Sequence, residues 1–395
     1  MNKTIKLAVA GAVLSAASIA NAGIIIPAGD WTLDVNGNVN VYASMSKFDD
    51  TADVAGGLAG AKDGQEDNSQ SIGTGLLPAW LGFTGTTRQN DLDVSFTISF
   101  QPNVSDNLIA GDVFAPLNRQ AFLTFGDKSW GSVKMGKDLG IFGSQAILND
   151  MTLLGVGAGA DLSGTSTTLG GIGTGYIYPA WKGQVTYTTP NMNGLQAMVA
   201  ITNPNQNALS DVRTAYQDRF GLEAQVTYDM SMGKVWVSGA SYDFTDGAAN
   251  NWDATVMDVG ATINIGNAAI TGYYYSGEGV GSTMLGGFGG VGDGGTDGAG
   301  VERDSDGGYI QATYVIPTGT KLGVAYGVSR LDLAGADAVG DSTVLDENNR
   351  WTVGAYHPLT KHLNLVAEYN AVEAKDHGGD RNESDHISLG AILFF

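Results

Sequence analysis

The sequence predicts an all-β chain, a transmembrane antiparallel β-barrel of sixteen strands, and three observations predict it. Apolar and polar residues alternate with period two from end to end, while helical periodicity is nearly absent. Short and long connectors take turns between the alternating segments. The last segment carries its apolar stripe (Ile387, Leu389, Ala391, Leu393, Phe395) to a final aromatic ring, where a soluble domain frays into polar residues.

The first element in chain order is not a strand. Lys3 and Lys6 make a positive start, Leu7 to Ala20 an apolar run, and Ala20-Asn21-Ala22 a small-x-small cleavage site. This pattern predicts a secretory signal peptide over residues 1–22 and a barrel domain over 23–395. The absence of Cys rules out a disulfide framework in an exported chain. The formal charge of −21 becomes more negative by two when Lys3 and Lys6 leave. Such a balance argues against nucleic acid as a partner and favours cations or cationic solutes. With 58 Gly but only 9 Pro, the chain is neither collagen-like nor of disordered composition.

Sixteen segments follow, near 30–44, 79–88, 91–101, 118–126, 129–137, 181–189, 194–202, 218–228, 233–244, 253–265, 267–276, 307–316, 320–330, 349–358, 361–371 and 383–395. In the first, Trp31, Leu33, Val35, Val39 and Val41 oppose Thr32, Asp34, Asn36, Asn38 and Asn40. In the third, Leu92, Val94, Phe96, Ile98 and Phe100 oppose Asp93, Ser95, Thr97 and Ser99. The eighth sets Phe220, Leu222, Ala224, Val226 and Tyr228 against Arg219, Glu223, Gln225 and Thr227. The tenth and fifteenth carry Asp258 and Glu368 on their polar faces. In the ninth, Val235/Val237 and Trp236/Tyr242 compete for the apolar face.

The connectors explain the architecture. Short ones such as Gln89-Asn90 and Gly266-Asn267 alternate with long ones, the longest of them Asp138 to Ala180. A transmembrane barrel has short periplasmic turns and long external loops. In hydrocarbon every backbone N–H and C=O must pair internally, which a closed sheet achieves, with its apolar face to lipid and its polar face to water. Trp31, Tyr228, Tyr314, Trp351, Tyr369 and Phe395 sit near segment ends on the lipid-facing parity, as interfacial girdles require. The polar parity places Glu223, Asp258 and Glu368 in the lumen. With Asp150 and Asp161 of the long connector, they are candidates to set ion preference.

The chain resembles the Gram-negative general porins through "LGFTG" (Leu81 to Gly85), "RQAFLTF" (Arg119 to Phe125), "GSVKMGKDLGIFGSQAILNDM" (Gly131 to Met151), "GQVTYTTPNMNGLQAMVAI" (Gly183 to Ile201) and Phe395. The resemblance implies a trimeric outer-membrane diffusion pore for small hydrophilic solutes and ions, with no cofactor. It implies membrane lipid and lipopolysaccharide as surroundings, and an assembly machinery that reads Phe395. It also implies that the third long loop folds into the pore, facing basic groups on the wall. Arg119 then matches a wall arginine and Asp150 an acidic position of that loop. Trp80 replaces an arginine of the family pattern, "LLGVGAG" (Leu153 to Gly159) replaces its acidic loop tip, and Lys182 stands near another arginine position.

Other motifs point to other chemistry. "GSVKMGKD" matches the start of a phosphate-binding loop, but Asp138 stands where Ser or Thr must reach magnesium. Asp293, Asp297, Asp304 and Asp306, in a Gly/Asp-rich connector, offer hard oxygen ligands for weak divalent binding at irregular spacing. Asp376, His377 and Asp380 form the one conceivable acid/base cluster of a barrel hydrolase. A substrate-selective channel is the other alternative, and saturable binding of a ligand would distinguish it.

Overall fold

The structure, a computed structural model, describes residues 23–49, 54–61, 66–102, 104, 117–160, 167–203, 219–245, 251–286, 292–337 and 343–395. Its strands are β1 (Ile24–Ala28), β2 (Trp31–Phe48), β3 (Asn68–Gly73), β4 (Trp80–Gln89), β5 (Leu92–Gln101), β6 (Leu117–Asp127), β7 (Gly131–Leu139), β8 (Trp181–Thr188) and β9 (Leu195–Thr202). They continue with β10 (Gly221–Met230), β11 (Gly233–Thr245), β12 (Asn251–Ile265), β13 (Ala268–Glu278), β14 (Asp304–Val315), β15 (Lys321–Leu331), β16 (Leu345–Pro358), β17 (Leu363–Asp376) and β18 (Arg381–Phe394). A short helix, α1 (Ser144–Asn149), and a 3-10 turn (Met151–Leu154) lie between β7 and β8.

From β4 to β18 each strand pairs antiparallel with the next, and β18 returns to β2, with Ser384 opposite Phe48 and Phe394 opposite Asn38. The sheet is therefore closed. β3 and β4 pair with successive stretches of β2 and occupy one place in the wall, while β1 folds back on Trp31–Val35. The result is a sixteen-stranded barrel.

Every alternating segment of the sequence holds a strand. Outward residues such as Val39, Met45, Met257, Val259, Ile387 and Leu389 are exposed, while Asn38, Asn40, Ser44 and Ser46 on the other parity are buried inside. The competition in β11 resolves with Val235 and Val237 outward and Trp236 and Tyr242 inward. Two strands are not predicted by alternation. β1 is the apolar run Ile24-Ile25-Ile26 followed by Pro27, and β3 is the mostly polar stretch Asn68–Gly73.

Between β3 and β4 the chain leaves the wall, and inward side chains of β2 satisfy its backbone. Asn40 accepts from the Gly75 N–H and donates to the Leu77 carbonyl, both at 2.9 Å, and Asn38 donates to the Pro78 carbonyl at 2.9 Å. Inside the barrel, connector residues pack against the inner wall. Val54, Leu58 and Ala59, much of the connector between β7 and β8, and Val280 with Leu285 are buried against inward Tyr242, Tyr273, Tyr275 and Tyr309.

The seam depends on one close approach. Phe395 and Gly37 exchange both backbone hydrogen bonds, at 2.8 and 3.0 Å. A Cβ added at Gly37 would overlap the Trp80 carbonyl oxygen and come 2.8 Å from the Phe395 ring. Gly37→Ala is therefore expected to lower the yield of the heat-modifiable folded form on unboiled gels, while Gly272→Ala, with nothing within 4 Å of its added Cβ, leaves it unchanged. Equal yields for the two variants would contradict this account of the seam.

Candidate functional site

The connector between β7 and β8 turns into the lumen, where its residues outside regular structure need partners for their backbone polar groups. Inward side chains on the wall supply them. Glu223 on β10 accepts from the N–H groups of Ile141 and Phe142 with Oε2, at 2.6 and 3.1 Å. Asp258 on β12 accepts from Gly143 N at 3.3 Å and, with its other oxygen, from Ser238 N at 2.9 Å. Glu368 on β17 accepts from Val156 N and Gly157 N at 2.8 and 2.9 Å. Gln311 on β14 holds the middle of the loop, accepting from Met151 N at 2.8 Å and donating to the Asn149 carbonyl at 2.7 Å.

Each wall carboxylate also takes a tyrosine hydroxyl from a neighbouring strand. Tyr242 donates to Glu223, Tyr273 to Asp258 at 3.2 Å, and Tyr356 to Glu368 at 2.6 Å. These carboxylates face the lumen as the alternation predicts, but they are buried, with lone pairs directed at loop amides rather than at open water. A residue larger than glycine at position 155 would occupy the place of the Glu368 carboxylate. Thus a glycine in "LLGVGAG", where the resemblance implies an acidic tip, is what lets a wall acid reach the loop.

Asp150 organises the loop itself. It accepts from Thr152 N at 2.8 Å to cap the 3-10 turn, and from Gly171 N at 3.0 Å and the Tyr176 hydroxyl at 2.9 Å. Burial first, then the adjacent Asp150 charge, pushes the Tyr176 hydroxyl well above the ordinary tyrosine pKa. Arg350 on β16 stands 3.9 Å from Asp150 and donates to Thr174. Lys182 on β8 is buried and binds Glu223 and the Tyr242 hydroxyl at 2.8 and 2.9 Å. Arg119 turns inward at an irregularity in the β5–β6 register, donates to Gln101 and Tyr178, and lies over the Trp181 ring at 5.4 Å. Thus Arg119, Lys182 and Arg350 all reach the loop or its exit. Asp161 lies outside the described residues.

The tyrosines and Gln311 are the functional residues that composition and spacing left unassigned. Their inward parity is legible, since Tyr273 and Tyr275 alternate with exposed Tyr274, but their partners are not.

The remaining candidates do not assemble. Asp297 is saturated by the N–H groups of Ala299, Val301 and Ala336. Asp293 is buried, whereas Asp304 and Asp306 lie on β14, Asp306 facing Arg330 at 3.9 Å. Among the described residues no group of three or more His, Asp or Glu side chains could hold a metal ion. Nearby, Arg303 clasps Asp337 with both ends of its guanidinium, at 2.8 and 2.7 Å, and those hydrogen bonds hold the Asp337 carboxyl below the usual range. Asp376 caps its own turn by accepting from Gly379 N and Asp380 N, while His377 Nε2 meets the Leu331 carbonyl at 2.8 Å. The hydrolase cluster is not brought together.

The family described as Gram-negative porin matches residues 7–377 of the chain. No curated protein matches. Among solved structures, the anion-selective porin from Comamonas acidovorans is 15% identical with a TM-score of 0.66, covering 92% of this chain and 100% of that one. OmpF of Salmonella typhi, in complex with daunomycin, is 18% identical with a TM-score of 0.62, covering 94% and 100%. The trimer form of OmpT, an outer membrane protein of Vibrio cholerae, is 16% identical with a TM-score of 0.55, covering 92% and 99%.

Removing the Glu368 carboxylate strands two loop N–H groups and the Tyr356 hydroxyl, at about 1–3 kcal/mol for each buried donor left unpaired. Glu368→Ala should therefore free the loop near Val156, raising single-channel conductance and open-channel noise. A Glu368→Ala channel as quiet as the parent, at the parent's conductance, would show that this carboxylate does not hold the loop.

Proposed function

Because the chain belongs to the Gram-negative porin family and is an outer-membrane diffusion channel, we propose that it passes small hydrophilic solutes and ions through the space left beside its clasped loop. The reading carries no cofactor and no bond-making step. The observation that supports it most is the fixing of the inward loop to the wall at Glu223, Asp258 and Glu368, which sets a constant cross-section for diffusion. We further propose a homotrimer, in keeping with the trimer form of the Vibrio cholerae protein. The proposal includes export behind a leader of residues 1–22, removed on the way to the outer membrane, and recognition of Phe395 by the assembly machinery.

For selectivity we propose a modest cation preference that arises chiefly outside the constriction. The chain carries 41 acidic against 20 basic residues. Acids such as Asp49, Glu66, Asp67, Asp346 and Glu347 lie at the long-connector end of the barrel. The buried lumen acids are matched by Lys182, Arg350 and backbone N–H groups, so they add less. Surface charge acts over a Debye length of about 10 Å at 0.1 M salt and about 3 Å at 1 M. The reversal potential across a planar bilayer should show cation preference in dilute salt that nearly vanishes at molar salt. Anion selectivity at both concentrations would overturn this reading.

A further inference from the structure

β18 and β1 share one edge of β2. β18 runs along it from Phe48 to Asn38, Phe395 pairs with Gly37, and β1 takes over from Val35 to Trp31. Gly23 therefore stands immediately before β1, just beyond the end of β18. Asp34, which pairs with Ile25 across the ladder, lies diagonal to Gly23 on the same face, so close that a Cβ at Gly23 would lie 2.7 Å from the carboxyl carbon and 2.9 Å from Oδ2. Asp34 Oδ1 is buried without a hydrogen-bond partner. A buried carboxylate oxygen left in this state is costly unless a donor reaches it.

The missing donor follows from the cleavage predicted between Ala22 and Gly23. Hydrolysis adds one water across that peptide bond, leaving a carboxylate on Ala22 and an amine on Gly23. The amine takes up a proton near neutral pH, so a single amide N–H becomes an ammonium with three donors and a positive charge. We propose that Asp34 is a receptor for the α-ammonium of Gly23, a site completed only when the leader is removed. Cleavage then does more than release the chain from the inner membrane. It supplies the charge that fastens β1 to β2 at the periplasmic end of the seam, so that the seam is fully held only in the processed protein. While Ala22 remains attached, the Gly23 nitrogen is a neutral amide and carries no charge for Asp34 to pair with.

The inference rests on the leader reading, and the experiment separates the two. Intact mass of the purified protein first tests whether the chain begins at Gly23; another terminus rejects the leader boundary itself. On protein that begins at Gly23, the α-amine is labelled by reductive methylation with carbon-13 formaldehyde, and its titration is followed by NMR. An unpaired α-amine titrates near about 7.7–8.0, and pairing with a carboxylate raises that midpoint. The expected result is a midpoint about one unit higher in the parent that returns to the ordinary range in Asp34→Asn. An ordinary midpoint in the parent overturns the proposal whether or not the variant folds. A midpoint still raised in Asp34→Asn assigns the pairing to another anion and overturns it as well.

Discussion

The backbone N–H groups of the inward loop, held by carboxylates on the barrel wall, are the interaction on which the pore depends. A closed sheet pairs its own backbone completely but leaves a lumen with no defined constriction. A long segment laid across that lumen gains nothing from the ladder, and each of its buried polar groups needs a partner of its own. Glu223, Asp258 and Glu368 supply those partners at three places around the wall. Each is fixed in turn by a tyrosine hydroxyl, so the acceptor is oriented before the loop amide meets it. The constraint also bears on charge, because Glu223 on the wall is paired with Lys182 and Asp150 on the loop stands beside Arg350.

A second use of the same device appears where β3 breaks from β4. There the amides of Asn38 and Asn40, both on the inward parity of β2, pair with the backbone that leaves the sheet. Period two thus does two jobs. It turns one face of every strand toward lipid, and it lines the other with side chains able to pair backbone that enters the lumen. Where β18 ends, Phe395 and Gly37 meet backbone to backbone, and glycine is what makes the approach possible.

Alternation made the barrel legible because the boundary between lipid and water acts on every residue of every strand. It failed where that boundary is weak. Ile24-Ile25-Ile26 offers no polar partner to alternate with, and Asn68–Gly73 has a single large apolar residue, Ile72, to turn outward. The lumen acids were legible as inward residues, but their role was not. Glu223 meets Ile141 across 82 residues, Asp258 meets Gly143 across 115, and Glu368 meets Val156 across 212. No spacing rule spans such distances, since the pairing is set by barrel closure and the path of the loop. Asp297 misled for a local reason, because the turn that gathers acids in sequence also provides the N–H groups that saturate one of them.

The most direct measurement is hydrogen exchange at single-residue resolution on the folded protein in detergent micelles, read at Ile141, Phe142, Gly143, Val156, Gly157 and Gly171. None of these amides lies in a wall strand, and all donate to carboxylates. Opening the clasp requires separating buried N–H groups from their acceptors, so these amides should exchange about as slowly as those of the surrounding strands. Exchange at open-loop rates, with the strands still protected, would contradict a loop held by the wall.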